Sequence, residues 1–145
     1  MKNPRSRVSI VVLHDRKILG FHAEDPLSHQ KYFFLPGGKI EESETPEEAA
    51  IRETQEETGY TIKIISEKPQ FERYDFIWNG DINACQTWFF AGQLEPRHQP
   101  LRQVKDADYH QGVDWIPIEK INEVFNYHET ILRAVQVLVQ LAQSS

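Results

Sequence analysis

The stretch from residue 36 to residue 60 leaves this chain the least freedom. Pro36-Gly37-Gly38 stops a short aromatic run at residues 32–35 and presents nearly bare backbone to whatever packs beside it. Thr45 then offers an N-cap, Pro46 a first helical residue, and Glu48 a partner that closes a capping box with Thr45. Residues 47–58 are good helix formers, and Gly59 falls where a left-handed C-terminal cap is expected. Strands are read on either side of this helix from their own patterns.

Those strands are legible on either side. Residues 8–13 alternate and then run apolar, residues 14–17 make a polar turn, and residues 18–22 return, which predicts a hairpin. Extended segments are expected at residues 60–65, 71–78 and 85–94, with Asn79-Gly80-Asp81 turning the last two. Residues 95–114 are polar, carry prolines and show no periodicity, which predicts a long loop. Trp115-Ile116 reads as a short strand, and Pro117 opens a helical turn through Ile121 and Val124. Ile131, Leu132, Val135, Leu138, Val139 and Ala142 then recur at helical spacing. Strands interleaved with two helices predict one domain over residues 1–145, an α/β fold with a mixed β-sheet between helices.

The marked helix is chemically odd. Glu53, Glu56 and Glu57 stand at i, i+3 and i+4, so three carboxylates share one face. Like charges at that spacing repel by a few tenths of a kcal/mol per pair. They also crowd the helix C-terminus, where acids are disfavoured. A bound hard cation would offset the cost, and all-oxygen ligands suit Mg2+ or Mn2+. A carbonyl of Gly37 or Gly38 is placed to join the ligands, and Glu44 to reach in from the loop. Arg52 is expected to anchor the loop or a glutamate through charge-assisted hydrogen bonds.

Composition narrows the alternatives. Hydrophobic residues make up 39% of the 145, enough for a packed core, so wholesale disorder is excluded. The lone Cys85 excludes an internal disulfide, and with scattered histidines it argues against a structural zinc cage. The formal charge of -6 argues against broad binding to nucleic-acid backbone or anionic membrane. Residues 41–57 hold eight acids and one arginine, so the rest of the chain is close to neutral and the deficit sits at the proposed metal site. The apolar run after the basic start is too short for a signal-peptide core, and nothing approaches the ~20 apolar residues of a membrane span. A cytoplasmic protein is expected.

The spacing of Gly38, Glu44, Arg52-Glu53, Glu56-Glu57, Gly59 and Tyr60 resembles the box of the Nudix hydrolases. The stretches at residues 36–41 and 44–47 are most similar to the MutT type. This resemblance implies a Nudix α/β/α sandwich and a Mg2+- or Mn2+-dependent hydrolase of nucleoside diphosphate derivatives. It implies that Glu53, Glu56 and Glu57 ligate metal together with the Gly37-Gly38 backbone. Glu53 or Glu44 would orient or deprotonate the water, and Arg52 would hold the glutamates. Thr54 and Tyr60 depart from the usual aliphatic residues at two packing positions.

Substrate signals are thinner. The family resemblance points to an acid from a late loop, among Asp106, Asp108 and Asp114, with Asp114 before Trp115 favoured. It also places His22 where relatives carry a phosphate-binding arginine, and His128 where MutT-type enzymes read oxidised guanine with an asparagine. Tyr74, Phe76 and Trp78 alternate on one strand face, as core residues or as a surface for stacking a nucleobase. Tyr74 keeps a dinucleoside polyphosphate substrate open. The basic stretch at residues 97–105 is a solvated loop or a phosphate contact.

The leading expectation is conversion of a (deoxy)nucleoside triphosphate to a monophosphate and pyrophosphate. Alternatives are hydrolysis of dinucleoside polyphosphates, ADP-ribose, nucleotide sugars or RNA 5′-triphosphate ends, and a nucleotide-sensing module without catalysis. The expected partner is therefore a small nucleotide, with no membrane and no nucleic acid except an RNA 5′ end. Oligomeric state is left open, a homodimer included.

Overall fold

The computed structural model describes residues 5–96 and 107–144. The expectations for residues 97–105 and for Asp106 lie outside the described residues.

Strand β1 (Arg5–His14) is the axis of the fold. It pairs in parallel with β7 (Asp81–Leu94) on one side and antiparallel with β4 (Gly37–Lys39) on the other. Its last residues turn through a tight bend into β2 (Lys17–Glu24), which carries β3 (Lys31–Phe34) and β8 (His110–Pro117) on its two edges. Strand β7 is long enough to pair with both β5 (Ile62–Ile64) and β6 (Gln70–Trp78). The result is a mixed sheet covered on both faces, as the pattern of strands and helices predicts.

Alternation along β1 sorts the two cores. Val8, Ile10 and Val12 point to one side and pack with Ala49 and Ala50 of α1 (Pro46–Thr58), with Leu19, Ile62 and Phe90. Val11 points to the other side, where Phe89 and Ala91 join Ala134, Val135, Leu138 and Val139 of α3 (Glu129–Gln143). A 3-10 turn (Ile118–Lys120) and α2 (Ile121–Val124) lead into that second core through Ile121 and Phe125.

Three elements differ from the sequence reading. Gly37-Gly38 does not only stop the preceding strand; Gly37–Lys39 pairs with residues 7–9 of β1. The long loop ends earlier than expected, because β8 begins at His110 rather than at Trp115. Residue 81 already belongs to β7, so the hairpin turn is Asn79-Gly80 alone, with both residues at positive φ.

Candidate active site

Helix α1 forms as its ends foretell. Thr45 accepts from the Glu48 amide, the Glu48 carboxylate accepts from the Thr45 amide, and Gly59 closes the helix at φ 81°. No basic residue occupies the last turn. The two unusual packing positions are satisfied in their own way. Thr54 is fully buried and its hydroxyl donates to the Ala50 carbonyl at 2.7 Å, while the Tyr60 hydroxyl accepts from the Trp115 indole at 3.3 Å.

The glutamates meet the glycine strand directly. The Gly37 amide donates to Glu57 Oε1 at 2.7 Å, and Glu57 is 4% exposed. The same residue's carbonyl accepts from the His110 ring at 2.8 Å, which ties β8 to the end of the helix. A side chain on Gly37 would run into the Val8 backbone, and one on Gly38 would overlap the Glu53 carboxylate. At Gly37 the obstacle is main chain that cannot give way, whereas at Gly38 it is the end of a side chain that would have to move.

Arg52 is the hub of the acidic group. Its Nε and Nη2 hold both oxygens of Glu44, and Nη2 also donates to the Lys39 carbonyl at 3.0 Å. Although Arg52 and Glu53 point about 100° apart around the helix, the arginine is long enough for Nη1 to donate to Glu53 Oε1 at 2.7 Å. The same nitrogen lies 2.9 Å and 3.1 Å from the two Glu56 oxygens. Glu44 also accepts from the Glu41 amide. The Arg52 guanidinium, followed by that amide, holds the Glu44 carboxyl below the ordinary range. Burial pushes the Glu53 carboxyl up, with Arg52 and Arg7 pulling against it.

The donor set fits a hard divalent cation. It is all oxygen, and it already accommodates one cationic nitrogen between Glu53 and Glu56. As the side chains stand, no three His, Cys, Asp or Glu groups among the described residues converge closely enough to hold a metal. Arg52 takes up oxygens of Glu44, Glu53 and Glu56 instead.

A cleft of about 530 Å³ opens from this cluster across the sheet. Gly37, Gly38, Glu53 and Glu57 line one end. Arg5, Arg7 and Ser9 of β1 form part of the floor, and Phe34, Phe76, Trp78, Tyr109 and Tyr127 line the far part. The Phe34 ring lies 5.8 Å from Phe76 and 5.5 Å from Trp78, and Trp78 stands edge-on to Tyr109 at 5.2 Å. Asp25, 3% exposed, joins the two sides of that aromatic region. One of its oxygens accepts the Leu27 and Ser28 amides of the β2–β3 loop and the other accepts the Asn79 amide at the β6–β7 turn.

The remaining expected contacts separate. Tyr74 lines the cleft, its hydroxyl 2.8 Å from Thr87 Oγ1. His128 stands at the N-terminus of α3, where one ring nitrogen accepts from the Ile131 amide. The other donates to the Asp75 carbonyl at 2.8 Å, and the ring lies 5.0 Å from that of Tyr74. His22 and Asp114 are brought to each other at 2.9 Å, with His22 holding the Asp114 carboxyl below its usual range. Neither lines the cleft, because Phe21 takes the inward position on β2 and its neighbour points to the opposite face. Asp108 sits in the turn before β8. Arg5 and Arg7 of the basic start also line the cleft, a placement consistent with their i, i+2 spacing with Ser9 on a strand whose even positions are apolar.

The family model of the NUDIX domain matches residues 3–135. The chain belongs to the Nudix family. It is thus a hydrolase acting on phosphorus-containing acid anhydrides. The RNA pyrophosphohydrolase of Bartonella quintana (strain Toulouse) is 33% identical over 128 residues, 79% of this chain and 72% of that protein. A putative 8-oxo-dGTP diphosphatase of Bacillus subtilis (strain 168) is 30% identical over 94 residues, 54% of this chain and 63% of that protein. The crystal structure of a NUDIX-family hydrolase from Clostridium perfringens superposes with a TM-score of 0.70 at 21% identity, covering 97% of this chain and 99% of that one. That likeness shows that the Nudix fold is shared. Among the described residues, no helix is long and apolar enough to cross a membrane.

Proposed function

We propose that this Nudix chain cleaves a nucleoside 5′-triphosphate to the nucleoside monophosphate and pyrophosphate, with Mg2+ or Mn2+ as cofactor. The observation that carries the reading is one cleft with Glu53 and the buried Glu57 against a glycine strand at one end and an aromatic wall at the other. An anhydride and an attached base need those two surroundings at once. Nudix enzymes generally use divalent metals. Glu53, Glu56 and Glu57 would hold the ion, joined by the Gly37-Gly38 backbone. When bound, it would neutralise the phosphates and acidify a coordinated water.

The chain's own groups divide the remaining work. Glu53 is the better candidate to orient the attacking water and take its proton. The competing Glu44 has both oxygens engaged by Arg52 and by the Glu41 amide. Arg52 draws Glu44 and the helix glutamates into one group, so its charge sets the starting arrangement of the carboxylates. Water adds to one phosphorus as the bridging oxygen leaves on the neighbouring phosphate, and the two fragments share the charge. Phe34, Phe76, Trp78 and Tyr74 would take the base by stacking, with Asn79 and Asn83 at hand as polar groups.

A second reading follows from the Bartonella relative, which is an RNA pyrophosphohydrolase by name. The same triphosphate would then be carried at the end of an RNA rather than free. A Mg2+-dependent turnover screen tests both. It would span nucleoside triphosphates, dinucleoside polyphosphates, nucleotide sugars and 5′-triphosphorylated RNA, with products resolved. Release of pyrophosphate from free nucleotides is the expected result. Turnover confined to diphosphate diesters would overturn the reading, as would full activity in folded Glu56→Gln and Glu57→Gln variants.

A further inference from the structure

Arg5 and Arg7 have a placement that the work of the glutamates leaves unexplained. They stand two residues apart on the face of β1 that floors the cleft. Neither guanidinium forms a hydrogen bond or ion pair within the described residues, whereas Arg16 is paired with Glu119, Arg52 with three glutamates and Lys120 with Glu123. Arg7 is only partly exposed, and its field reaches Glu53, Tyr74 and Cys85.

Strand register fixes where this pair lies relative to the two ends of the cleft. Val8 is opposite Gly38, which abuts Glu53, and Arg7 is opposite Lys39 on that side and Thr87 on the other. Arg5 is opposite Cys85, and Cys85 is in turn opposite Tyr74. The cations therefore lie between the glutamates and the aromatic wall. A partly desolvated guanidinium without a partner is costly, and an anion on the cleft floor would relieve that cost. The planar fork of arginine matches two oxygens of a phosphate at a time.

We infer that Arg5 and Arg7 bind the non-bridging oxygens of a polyphosphate chain and give the cleft its preference for a triphosphate over a single phosphate. The inference deepens the pyrophosphohydrolase reading and rests on it for the position of the cut. Lys39, which lines the same cleft, extends the cationic row toward the glycine strand.

Calorimetric titration with inorganic triphosphate and with orthophosphate, both in Mg2+, tests the assignment without turnover. Arg7→Ala is expected to weaken triphosphate binding about tenfold or more. Arg5→Ala, at the more exposed position, is expected to weaken it less, and Arg7→Lys to fall between Arg7→Ala and the unmodified protein. Orthophosphate affinity should change by no more than about twofold, since one phosphate engages few of these donors. Arg7→Met keeps the aliphatic stem and serves if Arg7→Ala does not fold. Unchanged triphosphate binding overturns the inference, and so does an equal loss for both anions. An equal loss in Arg16→Ala also overturns it, because general surface charge would then be responsible. Arginine-dependent triphosphate binding in a protein that turns over no nucleotide sinks the functional reading and leaves this inference standing. Turnover without arginine dependence does the reverse.

Discussion

Helices α1 and α3 cover opposite faces of the same sheet, yet they are built to different rules. The buried face of α3 is Ala134, Val135, Leu138 and Val139, and its apolar positions recur at helical spacing. The buried face of α1 is Ala49, Ala50, Thr54, Glu57 and Thr58, small or polar throughout. Its hydroxyls fold back onto the helix carbonyls and its buried carboxylate takes a glycine amide from β4. One helix is held by the area it removes from water. The other is held by specific hydrogen bonds and an arginine hub, so it tolerates an acidic last turn that packing alone would not select.

Glu57 and Leu138 should respond in opposite ways to truncation or neutralisation. Glu57→Gln is expected to cost about 10²–10³-fold in turnover, on the scale of losing one preorganised electrostatic contact. Steady-state kinetics on a variant shown to be folded measures it. Leu138→Ala should cost about 2–5 kcal/mol of stability in a denaturant titration. Its kcat should stay close to that of the unmodified protein at temperatures where it is folded. Reversed outcomes, with Glu57 governing stability and Leu138 governing turnover, would dissolve the distinction.

Gly37 and Gly38 should also divide between stability and turnover. Gly37→Ala meets main chain that cannot move without displacing β1, so thermal unfolding should fall by several degrees. Gly38→Ala meets the end of a flexible carboxylate, so the melting temperature should hold while turnover drops about tenfold through the shifted Glu53. A smaller effect is expected from pH. Because Arg52 depresses the Glu44 carboxyl, that group adds stability above its ordinary pKa near 4.5, and the gain is lost as pH falls through its folded value. Glu44→Gln should therefore narrow the difference between melting temperatures at pH 7 and pH 3. The smallest effect is expected from Asp114→Asn, whose partner His22 lies outside the cleft lining, with turnover within about twofold.

Much of this arrangement is legible in the sequence. The capping box, the left-handed glycine and the carboxylate face of α1 are local signals, so they survive without knowledge of the surroundings. Strand β4 was not legible because glycines carry no strand preference, and only the register with β1 makes residues 37–39 extended. The early start of β8 was hidden by Gly112 at φ 131° and by polar neighbours that do not alternate. His22 and Asp114 illustrate a sharper limit. A strand position next to a cleft residue points away from the cleft, and sequence does not say which of two neighbours is turned inward. Arg5 and Arg7 are hard to place for another reason, since a basic start reads equally as a solvated terminus.

Asp25 bears on how the cleft receives a guest. One buried anion fastens the loop leading to β3, which carries Phe34, to the turn at the end of β6, which carries Phe76 and Trp78. The aromatic side chains of the two segments, with Phe34 5.8 Å from Phe76 and 5.5 Å from Trp78, are thereby held as one fixed surface before anything enters. With the β2–β3 loop and the β6–β7 turn fixed to one carboxylate, neither has to be ordered when the cleft is filled, and that entropic cost falls on folding rather than on binding.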